Sequence, residues 1–317
     1  MSTTRSTTEE SLPYTVVGGR HVDRAADPST AVSLVVLNRG RSVNRGGYFG
    51  RLLDLGFTDI LSMEHSGSHY DVEALSRSHR DVRFVLLRRK TSLGEQVNVS
   101  MQEARGRFLY VVWNDMRIGP LGEAMREALA VRNYLCTAPV LRTQKGDQLP
   151  TAMAPAFHRS RLKVLPLPPS YTGMPTLFPF DYTGIYHKEQ FIFAGGYDHR
   201  IPTPYWQKLD FGFRAHMWGY TIQLDPQLVT SGTEPPTEDA TPDESYKRFF
   251  LKNLSVRFSA DQAVLPFSRF PGFALRTGGG LLRNWQLFRE IRGWVHENRY
   301  RFKQDARRVT ELWEAER

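Results

Sequence analysis

The sequence predicts an α/β protein built on a doubly wound sheet. Two observations carry that expectation. Residues 31–37 (AVSLVVL) form a continuous apolar run of strand length, the signature of a strand buried on both faces. From there to Trp113, strand-length and helix-spaced segments alternate with short connections, the pattern that lays parallel strands into one sheet.

Taken in order, residues 1–30 are rich in Ser, Thr and charge and read as a mobile arm with one short strand at 14–17. After the first buried strand, apolar residues at helical spacing from Tyr48 to Leu55 predict a helix that Gly56 stops. Strands are expected at 59–63, 82–87 and 108–113, with helices at 72–78 and 93–104 between them and another over 119–134. The proline-rich stretch 150–179 is expected to be irregular, neither helix nor central strand, because proline lacks the N–H that both require. Order returns at 185–193, followed by a Gly-Gly turn at 195–198, an amphipathic helix over 206–218 and a short strand at 220–224. An acidic linker over 234–244 leads to helices at 245–256 and 281–316, separated by a loop over 266–280. The domain plan is therefore an arm (1–30), an α/β domain (31–230) and a linker with a helical extension (231–317).

The 317 residues carry 42 Lys and Arg against 33 Asp and Glu, a net charge of +9, and 40% of them are hydrophobic. This is too apolar for a wholly disordered chain, and the positive balance favours acidic partners such as nucleic acid, anionic lipid or phosphate-bearing small molecules. Helix-turn-helix, zinc-finger and RNP patterns are missing, so nucleic acid is set aside. The apolar run at 108–113 is far too short to span a bilayer, and the first residues lack an apolar signal core. The one cysteine, Cys136, allows no intramolecular disulfide. A cytoplasmic location is expected.

Ligands of open α/β sheets bind beyond the carboxyl ends of the strands. The residues that follow each strand are therefore the candidates: Asn38 and Arg39 after the first, Glu64, His65 and Ser66 after the second, Arg88, Arg89 and Lys90 after the third, Asn114 and Asp115 after the fourth. Such a mixture of acids, amides and cations suits a phosphate-bearing ligand. The Gly-x-Gly-x-x-Gly fingerprint and the Walker A loop are both missing after the first strand, which removes nicotinamide dehydrogenases and P-loop NTPases.

The order of these pieces resembles the nucleotide-binding half of GT-A-fold glycosyltransferases, particularly family 2. The resemblance rests on the first strand with its polar turn, the acid and Gly/Ser turn at Glu64 to Gly67, and a helix carrying Gly94 and Asn98 that stops at Gly106. It continues with the aromatic strand ending in Asn114 and Asp115, the GGYD motif at 195–198 and the helix from Trp206 to Gly219. It covers roughly residues 31–224 and implies a Rossmann-like, doubly wound mixed sheet. It also implies transfer of a sugar from a nucleotide-diphosphate sugar to a glycan or lipid-linked acceptor hydroxyl, with inversion. Asp115 would hold a divalent metal, Mn²⁺ or Mg²⁺, that neutralises the leaving diphosphate. Glu64 would meet the nucleobase or ribose, with Asn38, Arg39, Ser66, Lys90, Gly94, Asn98 and Asn114 as further substrate contacts. Trp206 would offer a ring on which sugar C–H groups stack.

One departure from the family is plain. The acidic helix of the family begins with two acids where this chain has Gln207 and Lys208, and a lysine, ordinarily protonated at neutral pH, does not take a proton from a hydroxyl. The general base is then expected to be Asp210 or Asp181. The same departure supports a second reading, a non-catalytic nucleotide-sugar or glycan-binding protein. A nucleotidyltransferase is disfavoured because no Gly-rich phosphate loop follows Leu37. In the tail, Leu287, Ile291, Trp294 and Val295 share one helical face among many arginines. That stripe is expected either to pack on the α/β domain or a second subunit, or to lie on an anionic membrane surface.

Overall fold

The computed structural model describes residues 12–19, 27–40, 44–65, 67, 71–158, 161–232, 239–278 and 280–315. Its first half contains β1 (Tyr14–Gly18), β2 (Val32–Leu37), α1 (Arg45–Leu53), β3 (Ile60–Glu64), α2 (Val72–Ser78), β4 (Val82–Leu87), α3 (Leu93–Glu103) and β5 (Phe108–Trp113). β2 pairs in parallel with β3 and β5, and β3 in parallel with β4. Every residue of β2 and β5 is buried, which is why both read as unbroken apolar runs. β1 lies antiparallel on β4 at the sheet edge. Of the rest of the expected arm, only residues 12–13, 19 and 27–30 are described.

The second half runs through β6 (Arg117–Ile118), α4 (Glu123–Arg132), β7 (Cys136–Arg142), β8 (Ala152–His158), β9 (Arg161–Leu167) and β10 (Met174–Pro175). β11 (Gly184–His187), α5 (Lys188–Phe193), α6 (Pro204–Met217) and β12 (Ile222–Ser231) follow. The strand order is β1-β4-β3-β2-β5-β11-β7-β12-β10, and β11 is antiparallel to both neighbours, so the sheet is mixed and doubly wound. Two strand expectations are corrected. Among its described residues the stretch 150–179 holds no helix and no central strand, as expected, but it is only partly irregular: β8 and β9 pair as a separate antiparallel hairpin containing Pro155 and Pro166. A two-stranded sheet has an open edge on each strand, where a missing N–H is tolerated. β7 has no counterpart in the sequence reading because Pro139 disguises it; the proline sits opposite Asp225, where the β7–β12 register shifts.

The carboxyl-terminal region comprises α7 (Glu244–Phe249), a π turn (Phe250–Leu254), a hairpin of β13 (Arg257–Ser259) and β14 (Gln262–Val264), α8 (Phe270–Thr277), α9 (Leu281–Glu297) and α10 (Ala306–Ala315). The loop expected over 266–280 thus contains a helix, begun by Pro271 in its first turn. The single helix expected over 281–316 is two, broken where Phe302 is buried against Trp218 and Trp294. Ile291 and Val295 are buried, and Leu287 and Trp294 pack beside them in a cluster that includes Leu209, Phe213 and Met217 of α6. This stripe is a packing face of the α/β body. No helix among the described residues is long and apolar enough to cross a membrane.

His216 of α6 reports on that packing. Its Nε2 lies 3.1 Å from the Thr176 carbonyl oxygen, and its ring meets Trp313 of α10 edge-on at 5.0 Å. Burial lowers its pKa from 6.5 to about 4. The folded state therefore holds a neutral ring while the unfolded chain takes up a proton below its ordinary value. The contribution to stability is fully present above about pH 6.5 and is lost as pH falls toward about 4. Denaturant titrations across this window should show the wild type losing on the order of 1–3 kcal/mol more than His216→Gln. Parallel pH profiles for the two proteins would contradict the burial argument.

Candidate functional site

β2, β3, β4 and β5 run parallel, so the residues leaving their carboxyl ends share one rim of the sheet. Arg39 is the hub. Its backbone N–H donates to Asn114 Oδ1 at 3.2 Å. Its guanidinium forks onto Asp115, with Nε to Oδ2 at 2.8 Å and Nη2 to Oδ1 at 3.1 Å, while Nη1 donates to Asp181 Oδ2 at 2.6 Å. The guanidinium carbon lies 4.5 Å over the Trp113 ring. Burial works against the charge, but the hydrogen bonds and charges of Asp115 and Asp181 outweigh it and hold the Arg39 pKa above its ordinary value.

Asp181 reaches this position through an uncommon backbone. It and Tyr182 have φ of 50° and 60°, in the left-handed region that non-glycine residues rarely occupy. Trp113 Nε1 donates to the Asp181 carbonyl at 2.9 Å, and the Tyr186 hydroxyl donates to the Tyr182 carbonyl at 2.8 Å. These two bonds fix the turn that presents the carboxylate to Arg39.

A second polar group sits at the ends of β2 and β3. Glu64 is buried, pairs with Arg45, and accepts from Ser62 Oγ at 2.7 Å. Asn38 Nδ2 donates to the Met63 carbonyl at 2.7 Å and lies 3.4 Å from Glu64 Oε1. Arg45 also reaches Asp71 at 2.6 Å. His65 Nε2 lies 2.8 Å from the Asn38 carbonyl oxygen, and its Nδ1 lies 3.4 Å from Gln96 Nε2. Gln96 Oε1 is buried with no hydrogen-bond partner among the described residues. Lys90 and Arg89 stand exposed beyond β4, Arg89 paired with Glu95 at 2.8 Å. Ser66 lies outside the described residues. Sequence reasoning missed Arg45 and Gln96, since neither is separable in sequence from nearby solvated polar residues.

Four expected site residues serve the scaffold instead. The Gly94 N–H donates to Gln207 Oε1 at 2.9 Å, and a Cβ on Gly94 would stand 2.4 Å from Tyr197 Cβ, so close approach alone demands glycine. Asn98 clamps Tyr197, donating to its carbonyl at 2.8 Å and accepting from its N–H at 2.9 Å. Trp206 is a buried ring stacked on Phe249, with Nε1 donating to the Thr241 carbonyl at 3.0 Å, so it is no sugar platform. Asp210 is 0% exposed and accepts from Asn253 Nδ2 at 2.9 Å, Lys252 Nζ at 3.2 Å and Arg214 Nη2 at 3.3 Å. Enclosed and ringed by donors, Asp210 in this arrangement ties α6 to the π turn that carries Lys252 and Asn253.

The Gln207 and Lys208 departure is likewise absorbed into structure. Gln207 Oε1 also accepts from the Tyr182 hydroxyl at 2.9 Å, and its Nε2 donates to Ser92 Oγ and the Asp198 carbonyl, each at 3.1 Å. Lys208 is buried, with Nζ between 5.5 and 5.6 Å from the ring centres of Phe178, Phe180 and Tyr182.

The expected metal fits these residues poorly. Mn²⁺ or Mg²⁺ takes oxygen ligands in near-octahedral array, and both Asp115 oxygens already accept from Arg39. Among the described residues, no group of three or more His, Cys, Asp or Glu side chains is placed to hold a metal ion. As the side chains stand, a guanidinium occupies the carboxylates that a divalent cation would need.

No protein-family model matches the sequence, and no curated protein matches it either. Solved structures do match. GalNAc-T7 with UDP, GalNAc and Mn²⁺, a GT-A-type glycosyltransferase, superposes with a TM-score of 0.55 at 11% identity over 84% of this chain. The chain has a GT-A fold. It spans only 57% of the GalNAc-T7 chain. S. aureus TarS 1–349 in complex with UDP-GlcNAc is matched at 13% identity and a TM-score of 0.47, over 82% of this chain and 71% of that one.

If Asp210 is structural, Asp210→Ala leaves buried cations short of a partner and should cost about 3–5 kcal/mol of unfolding free energy. An unchanged urea midpoint would return Asp210 to the list of functional acids.

Proposed function

We propose that the chain is a glycosyltransferase that binds a nucleoside-diphosphate sugar across the carboxyl ends of β2 to β5 and passes the sugar to an acceptor hydroxyl on a glycan or lipid-linked saccharide. The observation that carries this reading is Arg39, a guanidinium held at the strand ends by acids from both halves of a GT-A fold. A planar guanidinium recognises phosphate oxygens two at a time, so we assign Arg39 to the diphosphate, its guanidinium exchanging part of its bonding to Asp115 and Asp181 for phosphate oxygens as the donor enters, with Lys90 as a second cation at the rim. Asn38, Glu64, Arg45 and the unsatisfied Gln96 Oε1 form the polar end that takes the nucleoside. GalNAc-T7 was solved with UDP, which makes a uridine nucleotide the first probe.

In the transfer step the bond from the anomeric carbon to the diphosphate oxygen breaks as the acceptor oxygen bonds to that carbon. The hydroxyl proton passes to a carboxylate, which we assign to Asp181. A single displacement of this kind inverts the anomeric centre, and the negative charge left on the diphosphate meets Arg39. Since Asp115 is held by Arg39, no step is assigned to a divalent ion. One observation favours the non-catalytic reading, namely that Gln207 and Lys208 are built into the scaffold where the family places acids.

Calorimetric titration with UDP, GDP, CDP and dTDP, each in EDTA and in Mn²⁺, tests the site. One nucleotide should bind in both conditions, and Arg39→Ala should weaken it by about tenfold or more. Binding to none of them contradicts the proposal, while binding only with Mn²⁺ returns Asp115 to metal ligation. With the matching sugar nucleotide, Asp181→Asn should keep donor binding and abolish release of the nucleoside diphosphate. Donor binding without turnover by the wild type selects the binding protein.

A further inference from the structure

We propose that the corner where α8 ends and α9 begins is a docking surface for an anionic lipid bilayer. The buried stripe of α9 plays no part in this; other residues do. Leu275, in the last turn of α8, is 87% exposed, and Leu281 and Leu282, which open α9, are 70% and 72% exposed. Phe267, just before α8, is exposed as well. A folded domain seldom leaves several large apolar side chains uncovered within sixteen residues unless something else covers them.

The surrounding charge identifies what covers them. From Gln262 to Arg289 the sequence contains four arginines and no Asp, Glu or Lys. Arg269, Arg276, Arg283 and Arg289 are all exposed. Glu290, the acid that ends the run, is engaged by Arg200 and Arg248. Leucines that insert among acyl chains and arginines that meet lipid phosphates make the two-part signature of an interfacial helix on anionic lipid. A second copy of the chain fits worse, because a two-fold contact through this corner would bring the same arginines against themselves.

The corner is also supported from beneath. Phe273 and Phe288 are buried beneath it, Phe250 stacks on Phe273, and Trp285 stacks on Phe288. Asn284 Nδ2 donates to the Gly278 carbonyl at 2.8 Å, tying the first turn of α9 to the end of α8. The leucines themselves take no part in this support, so they can be replaced without disturbing it.

The test is co-sedimentation of the full chain with phosphatidylcholine vesicles, with and without phosphatidylglycerol, at low and high salt. The wild type should bind the anionic vesicles at low salt, bind pure phosphatidylcholine far less, and release at high salt. The triple variant Leu275→Ser, Leu281→Ser, Leu282→Ser should lose about tenfold or more in affinity with an unchanged unfolding midpoint. Arg276→Gln and Arg283→Gln should each weaken binding by roughly fivefold. The proposal is overturned if the intact chain ignores anionic vesicles, or if the serine variant binds them as well as the wild type. A wild-type dimer that the serine variant dissociates, with no vesicle binding, overturns it in favour of a second copy. Nucleotide titration of the same variant keeps this outcome separate from the transferase reading.

Discussion

Arg39 leaves the end of β2 and gathers two acids that arrive from distant parts of the chain, one at the end of the neighbouring β5 and one on the turn that leads into β11. Two carboxylates brought together at a partly buried strand end would repel each other and lose hydration; a shared guanidinium offsets the repulsion and supplies hydrogen bonds in place of water, at the cost of its own desolvation. The left-handed pair at Asp181 and Tyr182 is strained backbone, and it persists because Trp113 and Tyr186 hold its carbonyls while Arg39 holds its side chain. Remove the guanidinium and Asp115 and Asp181 lose the group that aligns them, while the bonds from Trp113 and Tyr186 still hold the turn. The site is thus organised around one guanidinium shared by two carboxylates.

A second ionic cluster does for the scaffold what Arg39 does for the site. Lys252, from the π turn after α7, reaches Asp198 at 2.8 Å and Asp210 at 3.1 Å. Burial alone would raise the Asp198 pKa, but the adjacent Lys252 ammonium outweighs it and holds the carboxyl well below the usual range. Asp198 ends the GGYD turn, whose Tyr197 is clamped by Asn98 and whose carbonyl at 198 meets Gln207. The carboxyl-terminal region is therefore part of the same framework as the strand ends, joined by Lys252 and Asn253 at Asp210, by the Arg200–Glu290 pair and by a shared apolar cluster with α6.

β2 and β5 were legible because burial on both faces writes itself as near-continuous apolar runs, β3 and β4 followed from the alternation with helices, and all four fall within a residue or so of the expected bounds. The strand-end rule then singled out Asn38, Arg39, Glu64, Asn114 and Asp115, which do lie together at the rim of the parallel strands. What the sequence hid is the pairing among them. Nothing local tells that Arg39 will meet Asp181, 142 residues away, or that Asp210 will be buried against Lys252. Proline misled twice, concealing β7 and suggesting irregular structure in a stretch that forms a hairpin, because its tolerance depends on which strand edges are open. Helical periodicity in the tail identified the buried stripe, but the three exposed leucines are visible only once the body is in place.

Amide hydrogen exchange, with and without a saturating nucleoside diphosphate, tests most directly whether the rim of the parallel strands is where the ligand sits. The account predicts added protection at the segments containing Asn38 and Arg39, Glu64 and His65, and Asn114 and Asp115, together with the turn at Asp181, while the β8–β9 hairpin and the α8–α9 corner stay unchanged. Protection confined to other elements, with none at Arg39 or Asp115, would contradict it.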